Sequence, residues 1–208
     1  MIRRTLLATA LVGALTLAAN PTAWADSHHS LAVEEDADLA AATSINPRYL
    51  LMDPNGREVS HEDFRGKFQL LSFGYTYCPD VCPTTLVDMA AILKQLDEDG
   101  GKAKYLQAIF ISVDPERDTP EVLRTYTRFF DPRILGLTAK PPLVKRAADN
   151  FRVRYAKVRE PGDPPERYAV DHSAGLYLIA PDGTFLKKFA YGTPAADVAR
   201  WIAEAMAP

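Results

Sequence analysis

From about Pro47 onward, apolar residues arrive in short runs separated by stretches of mixed polarity. Phe68 to Phe73 (Phe-Gln-Leu-Leu-Ser-Phe) is compact and mostly apolar, which suits a buried strand. Tyr105 to Val113 is a second such run. Between them, Leu86, Met89, Ala90, Leu93 and Leu96 recur at helical spacing, and Gly100-Gly101 ends that helix. Tyr49 to Met52 reads as a strand, with Asp53-Pro54-Asn55-Gly56 turning the chain into a hairpin. Asp118-Thr119-Pro120-Glu121 opens a helix with a cap and an early proline, running to about Phe130. Another helix is expected over Pro142 to Asn150. Arg159 to Glu166 holds three prolines and one glycine and is expected to be a loop. Gly175 to Ala180 and Thr184 to Ala190 form a hairpin around Pro181-Asp182-Gly183, and Pro194 opens a last helix to Met206.

This order joins a βαβ half to a ββα half behind an N-terminal β-hairpin extension. It predicts an α/β fold, with a central mixed sheet and helices on both faces. One domain is expected over residues 48–208.

The first 25 residues form a different pattern. Arg3 and Arg4 precede an uncharged apolar run from Thr5 to Ala19, and Ala23-Trp24-Ala25 supplies a small-x-small cleavage site. That is the layout of a signal peptide. The alternative is an uncleaved anchor, but the apolar run falls short of the roughly 20 residues a spanning helix needs. Residues 26–47 are polar and acidic and are expected to be a flexible linker. The expected product is exported, periplasmic in a Gram-negative source, soluble after cleavage and monomeric, in a space that permits disulfides.

The 208 residues carry a net charge of -3, with 47% hydrophobic and 25% charged positions. The balance is that of an ordinary globular protein, and without a basic excess it argues against nucleic-acid binding.

Both cysteines fall in Gly74-Tyr75-Thr76-Tyr77-Cys78-Pro79-Asp80-Val81-Cys82-Pro83, where a buried strand gives way to an amphipathic helix. Partial positive charge at a helix start favours thiolate, which is both a nucleophile and a soft metal ligand. Three residues separate the cysteines, one more than in thioredoxin-type redox motifs. A structural disulfide or a pair of inert core thiols stays open on spacing alone.

The segment resembles the copper-site signature of Sco (SenC) proteins. Val113-Asp114-Pro115-Glu116-Arg117-Asp118-Thr119-Pro120 and Asp171-His172-Ser173 are similar to two further blocks of that family. The resemblance covers roughly residues 47–208. It implies a thioredoxin-like fold and one copper ion, Cu(I) or Cu(II), on Cys78, Cys82 and His172. It also implies a role in building the dinuclear copper centre of cytochrome c oxidase, with the subunit bearing that centre as partner. Other periplasmic copper chaperones or thiol reductants are further expected partners. Two thiolates favour Cu(I), and an imidazole also tolerates Cu(II).

Around this set, Asp171 is a candidate to orient the imidazole or a turn residue. Asp80 is a candidate to steer copper geometry or partner recognition. Asp114 is a candidate contact to the site or a turn residue, and Asp118 or Thr119 a helix cap. Tyr75 and Tyr77 are expected to pack, and His61 to lie on the surface. Cleavage after Ala25 would leave Asp26-Ser27-His28 at the terminus, where amine, amides and imidazole can hold Cu(II) in a square of nitrogens. The competing function is a thiol-disulfide reductase that uses Cys78 and Cys82 on the oxidase's copper-site cysteines and does not require His172.

Overall fold

The computed structural model describes residues 45–207. The expected signal peptide, most of the linker and the Asp26-Ser27-His28 site lie outside the described residues.

The sheet core is a mixed sheet of five strands. Its centre is β3 (Phe68–Gly74), paired in parallel with β4 (Leu106–Ser112) and antiparallel with β8 (Leu176–Ile179). On one side β4 pairs in parallel with β5 (Leu135–Leu137), and on the other β8 pairs antiparallel with β9 (Phe185–Phe189). Every residue of β3 is buried. A strand covered on both faces needs apolar residues without alternation, as its sequence has.

Helix α1 (Val81–Glu98) connects β3 to β4 and packs against α4 (Ala195–Ala205). Its residues Leu86, Met89, Leu93 and Leu96 are buried as the spacing predicts. The left-handed Gly100 and Gly101, at φ 69° and 71°, follow its end. Helix α2 (Pro120–Phe130) lies along β5, and α3 (Pro141–Asn150) contacts β1 (Leu50–Met52). The expected N-terminal hairpin is β1 with β2 (Glu58–Ser60), tied to the body by mutual backbone bonds between Met52 and Thr138. Asn46 N–H also donates to the Asn150 carbonyl at 2.9 Å, so chain contacts begin just before Pro47. Phe73, Phe151 and Tyr177 meet pairwise with ring centroids 5.3, 5.5 and 5.9 Å apart at the centre of the core.

Two features depart from the sequence-based expectation. Cys82 lies inside the first turn of α1 rather than before it. His172 precedes the last hairpin, as the sequence order requires, but lies in a strand that the sequence pattern does not predict. It ends β7 (Ala169–His172), which pairs antiparallel with β6 (Tyr155–Val158) in a separate two-stranded ribbon. The ribbon is mostly exposed, so it carries no apolar run to announce it.

Candidate metal centre

β3 ends at Gly74, and the chain then crosses the C-terminal end of the sheet as Tyr75 to Asp80 before α1 begins. Tyr75 is buried, and its carbonyl accepts from Cys78 N–H at 3.3 Å, folding the segment into a tight turn. The turn leaves Cys78 half-buried, whereas Cys82 is 1% exposed. Both thiols are free. The β6–β7 ribbon reaches over this end of the sheet, with Tyr155 paired to His172. The result brings one sulfur from each cysteine and one ring nitrogen of His172 within 4.8 Å of one another.

His172 Nε2 lies 3.4 Å from Cys82 Sγ, and Nδ1 lies 3.1 Å from the Ser173 carbonyl oxygen. A carbonyl only accepts, so in the neutral ring this contact favours the hydrogen on Nδ1 and leaves the lone pair of Nε2 facing the sulfurs. That is the tautomer a metal ligand needs. Asp171 does not supply this orientation. Alternation along β7 turns its side chain away from that of His172, leaving Asp171 exposed beside Ala156.

The helix start does not activate Cys82. Burial pushes its thiol well above the ordinary range, against a weaker opposing hydrogen bond from the Tyr75 backbone. Desolvation of a sulfur sealed from water outweighs the field of the helix end.

A second layer holds the turn. The buried Asp118 carboxylate accepts from Thr76 N–H at 3.1 Å, Thr76 Oγ1 at 2.6 Å and Ser112 Oγ at 2.6 Å, which clamps the cysteine segment to the end of β4. Burial still raises its pKa above the usual carboxylate range. Asp118 is therefore a clamp rather than a cap; Thr119 caps α2, its side chain accepting from Val122 N–H.

Asp114 does not reach the sulfurs. Its buried carboxylate takes Arg117 Nε at 2.5 Å and Tyr168 Oη at 2.8 Å, because the 114–118 turn points it back under the loop before β7. Arg117 then lies 3.7 Å from the ring centre of Tyr168, 4.8 Å from that of Tyr77 and 5.7 Å from that of Tyr75. The Tyr75 ring meets His172 edge-on at 6.0 Å. Arg117 was missed from the sequence, where a surface arginine and a stacked one look alike. Tyr77 is 64% exposed and does not pack in the core as expected. Asp80 is exposed at the N-cap of α1 and makes no side-chain cap bond. His61 is half-buried against the Tyr49 carbonyl rather than fully on the surface.

The SCO1/SenC family model matches residues 37–207. The chain belongs to the SCO1/SenC family. Among its SCO1/SenC relatives, the mitochondrial SCO2 homolog of Bos taurus is 38% identical over 184 residues, covering 88% of this chain and 68% of the relative. The chain spans only 46% and 50% of the mitochondrial relatives it matches in Arabidopsis thaliana and Homo sapiens. The crystal structure of Arabidopsis thaliana ScoI with copper bound superposes with a TM-score of 0.70 at 34% identity, over 77% of this chain and 96% of that one. BsSco, described as a member of the Sco family of cytochrome c oxidase assembly proteins and as carrying a disulfide switch, superposes with a TM-score of 0.59 at 27% identity, over 78% and 93%. The fold of this SCO1/SenC chain is thus thioredoxin-like, as the resemblance implied.

Proposed function

We infer that this chain binds copper through Cys78 Sγ, Cys82 Sγ and His172 Nε2 and delivers it during assembly of the copper centre of cytochrome c oxidase. The observation that carries the reading is the convergence of these three donor atoms within 4.8 Å. The donor set fits copper: two soft sulfurs suit Cu(I), and a neutral imidazole nitrogen also accepts Cu(II). Relatives of the same family have been solved with copper bound, and a more distant one is described as an oxidase assembly protein.

The unequal burial of the cysteines gives the transfer a direction. Cys82 is the inner ligand, held in the first turn of α1, and Cys78 is the outer one, where a partner's sulfur can reach the metal. The oxidase subunit bearing the copper centre is the proposed recipient. Residues 1–25 are proposed as a signal peptide, 26–47 as a linker and 48–208 as the copper domain, acting outside the cytoplasm. Asp26-Ser27-His28 is proposed as an accessory Cu(II) site, which holds only if the exported chain begins at Asp26 by intact mass.

The second reading is a dithiol reductase, favoured by two free thiols close together. There, a Cys78 thiolate would attack a partner disulfide. Cys82 would then resolve the mixed disulfide, leaving the partner with two thiols and this chain with a Cys78–Cys82 bond. His172→Ala separates the two. It abolishes stable copper retention and leaves disulfide reduction intact if the first reading holds. Retention of copper by that variant would refute His172 as a ligand.

A further inference from the structure

In the parallel pair of β3 and β4, Lys67 and Leu106 share one end of the sheet, Gly74 and Ser112 share the end that carries the cysteines, and the shorter β5 begins midway, with Leu135 opposite Ile109. A seven-residue strand separates the two ends by roughly 20 Å. From the end away from the cysteines, a cavity of about 550 Å³ extends along the outer edge of β5 as far as Gly136, over an apolar floor that includes Phe64, Leu106, Ile134 and Leu135. Its walls carry six basic side chains, from Arg57, Lys67, Lys104, Arg124, Arg128 and Arg133, and no Asp or Glu among the described residues.

Arg57 and Arg133 are neutralised by Asp53 and by Asp97 with Asp131. Lys67, Lys104, Arg124 and Arg128 have no carboxylate within ion-pair range among the described residues. Arg124 is held in place by the Pro54 carbonyl and by Asn55 Oδ1, the latter at 3.0 Å, both neutral groups. Four uncompensated cations around one concavity stand out in a chain whose net charge is -3. Such a cluster repels itself and attracts anions. Its size lies within the roughly 300–1,000 Å³ of small-ligand sites, and guanidinium forks match phosphoryl oxygens.

We propose that this cavity binds a phosphate-bearing ligand with an apolar portion, its phosphoryl oxygens on Lys104, Arg124 and Arg128 and its apolar part against Phe64 and Leu135. A phospholipid headgroup and a soluble phosphate ester share that chemistry. The cavity includes none of Cys78, Cys82 and His172 in its lining, and the proposal does not rest on the copper reading.

The test uses the full chain and two probes: vesicles of phosphatidylcholine and phosphatidylglycerol in equal parts, followed by sedimentation, and 1-naphthyl phosphate, followed by backbone amide shifts at Leu106 and Leu135. Binding of vesicles alone identifies a lipid, and binding of the ester alone identifies a soluble compound. In either case Lys104→Glu/Arg128→Glu weakens binding about tenfold or more, in keeping with the loss of two charge contacts. Lys94→Glu/Lys145→Glu reverses as many charges on other exposed surfaces and leaves binding unchanged. Both variants share the same N-terminal segment, so the difference between them reports the cavity. Lys104→Gln/Arg128→Gln repeats the test without new negative charge. Binding of neither probe, or equal weakening by the two charge-reversed variants, overturns the proposal.

Discussion

Gly74 is the position where one methyl group should disturb both the fold and the metal centre. Its backbone is ordinary, so the constraint is space. A Cβ there would lie 2.7 Å from Cys82 Sγ and 2.7 and 2.9 Å from two ring carbons of Phe110. Carbon contacts settle at about 3.5–4.0 Å, so something must move by roughly 1 Å. Phe110 is fully buried and its ring stacks against Tyr126 with centroids 5.9 Å apart, which closes its retreat. The Cys82 sulfur is then displaced from its place beside His172. Overpacking of this kind costs about 1–3 kcal/mol, or roughly 2–12 °C in Tm for a domain of this size. Gly74→Ala is expected to show that loss in thermal unfolding of the metal-free protein and weaker Cu(I) binding in competition with a chelator. Gly136→Ala is the control: its Cβ would meet Leu123 and Thr127 side-chain atoms at 3.1 and 3.2 Å, with neither Cys82 nor the Phe110 ring among its nearest atoms. It should cost less stability and leave copper binding alone. Unchanged Tm and unchanged copper affinity in Gly74→Ala would refute the packing argument.

The unequal exposure of the thiols predicts that iodoacetamide labels Cys78 before Cys82 in the reduced native protein, read by peptide mass spectrometry. Equal labelling would contradict the inner and outer assignment. Because burial holds the Cys82 thiol protonated, copper binding must expel a proton, and apparent Cu(I) affinity should rise about tenfold or more per pH unit from pH 6 to 8. A flat profile would contradict it. Asp118 gives the opposite kind of pH dependence, on stability. Its folded-state pKa is raised above the ordinary 3.8, so its favourable contribution is complete below 3.8 and is lost as pH rises through the raised value. Denaturation of wild type should therefore show stability falling relative to Asp118→Asn across that window, and a constant difference would remove Asp118 as the cause.

The buried strands and α1 were legible because strands covered on both faces must be apolar and a helix must show its period; Phe68 to Phe73 and Leu86 to Leu96 do both. The three donors were legible through the spacing of Cys78 and Cys82 and the family blocks. The ribbon that delivers His172 was not. Lys157 and Asp171 face water, so β6 and β7 lack the periodicity that marks a strand. The three-residue β5 is too short to show one. The behaviour of the Cys82 thiol depends on how completely the folded chain buries it, and Arg117 acquires its aromatic neighbours from two distant segments, the cysteine turn and the loop before β7. Both are properties of tertiary packing, invisible in spacing. Asp171 was misplaced for a simpler reason: adjacent residues in a strand point opposite ways.

X-ray absorption of the Cu(I)-loaded chain, compared with the same measurement on His172→Ala, tests the copper assignment most directly. The account predicts two sulfur scatterers and one imidazole nitrogen on each copper, with the nitrogen lost in the variant. Identical spectra for the two proteins, or a copper coordinated by fewer than two sulfurs, would contradict it.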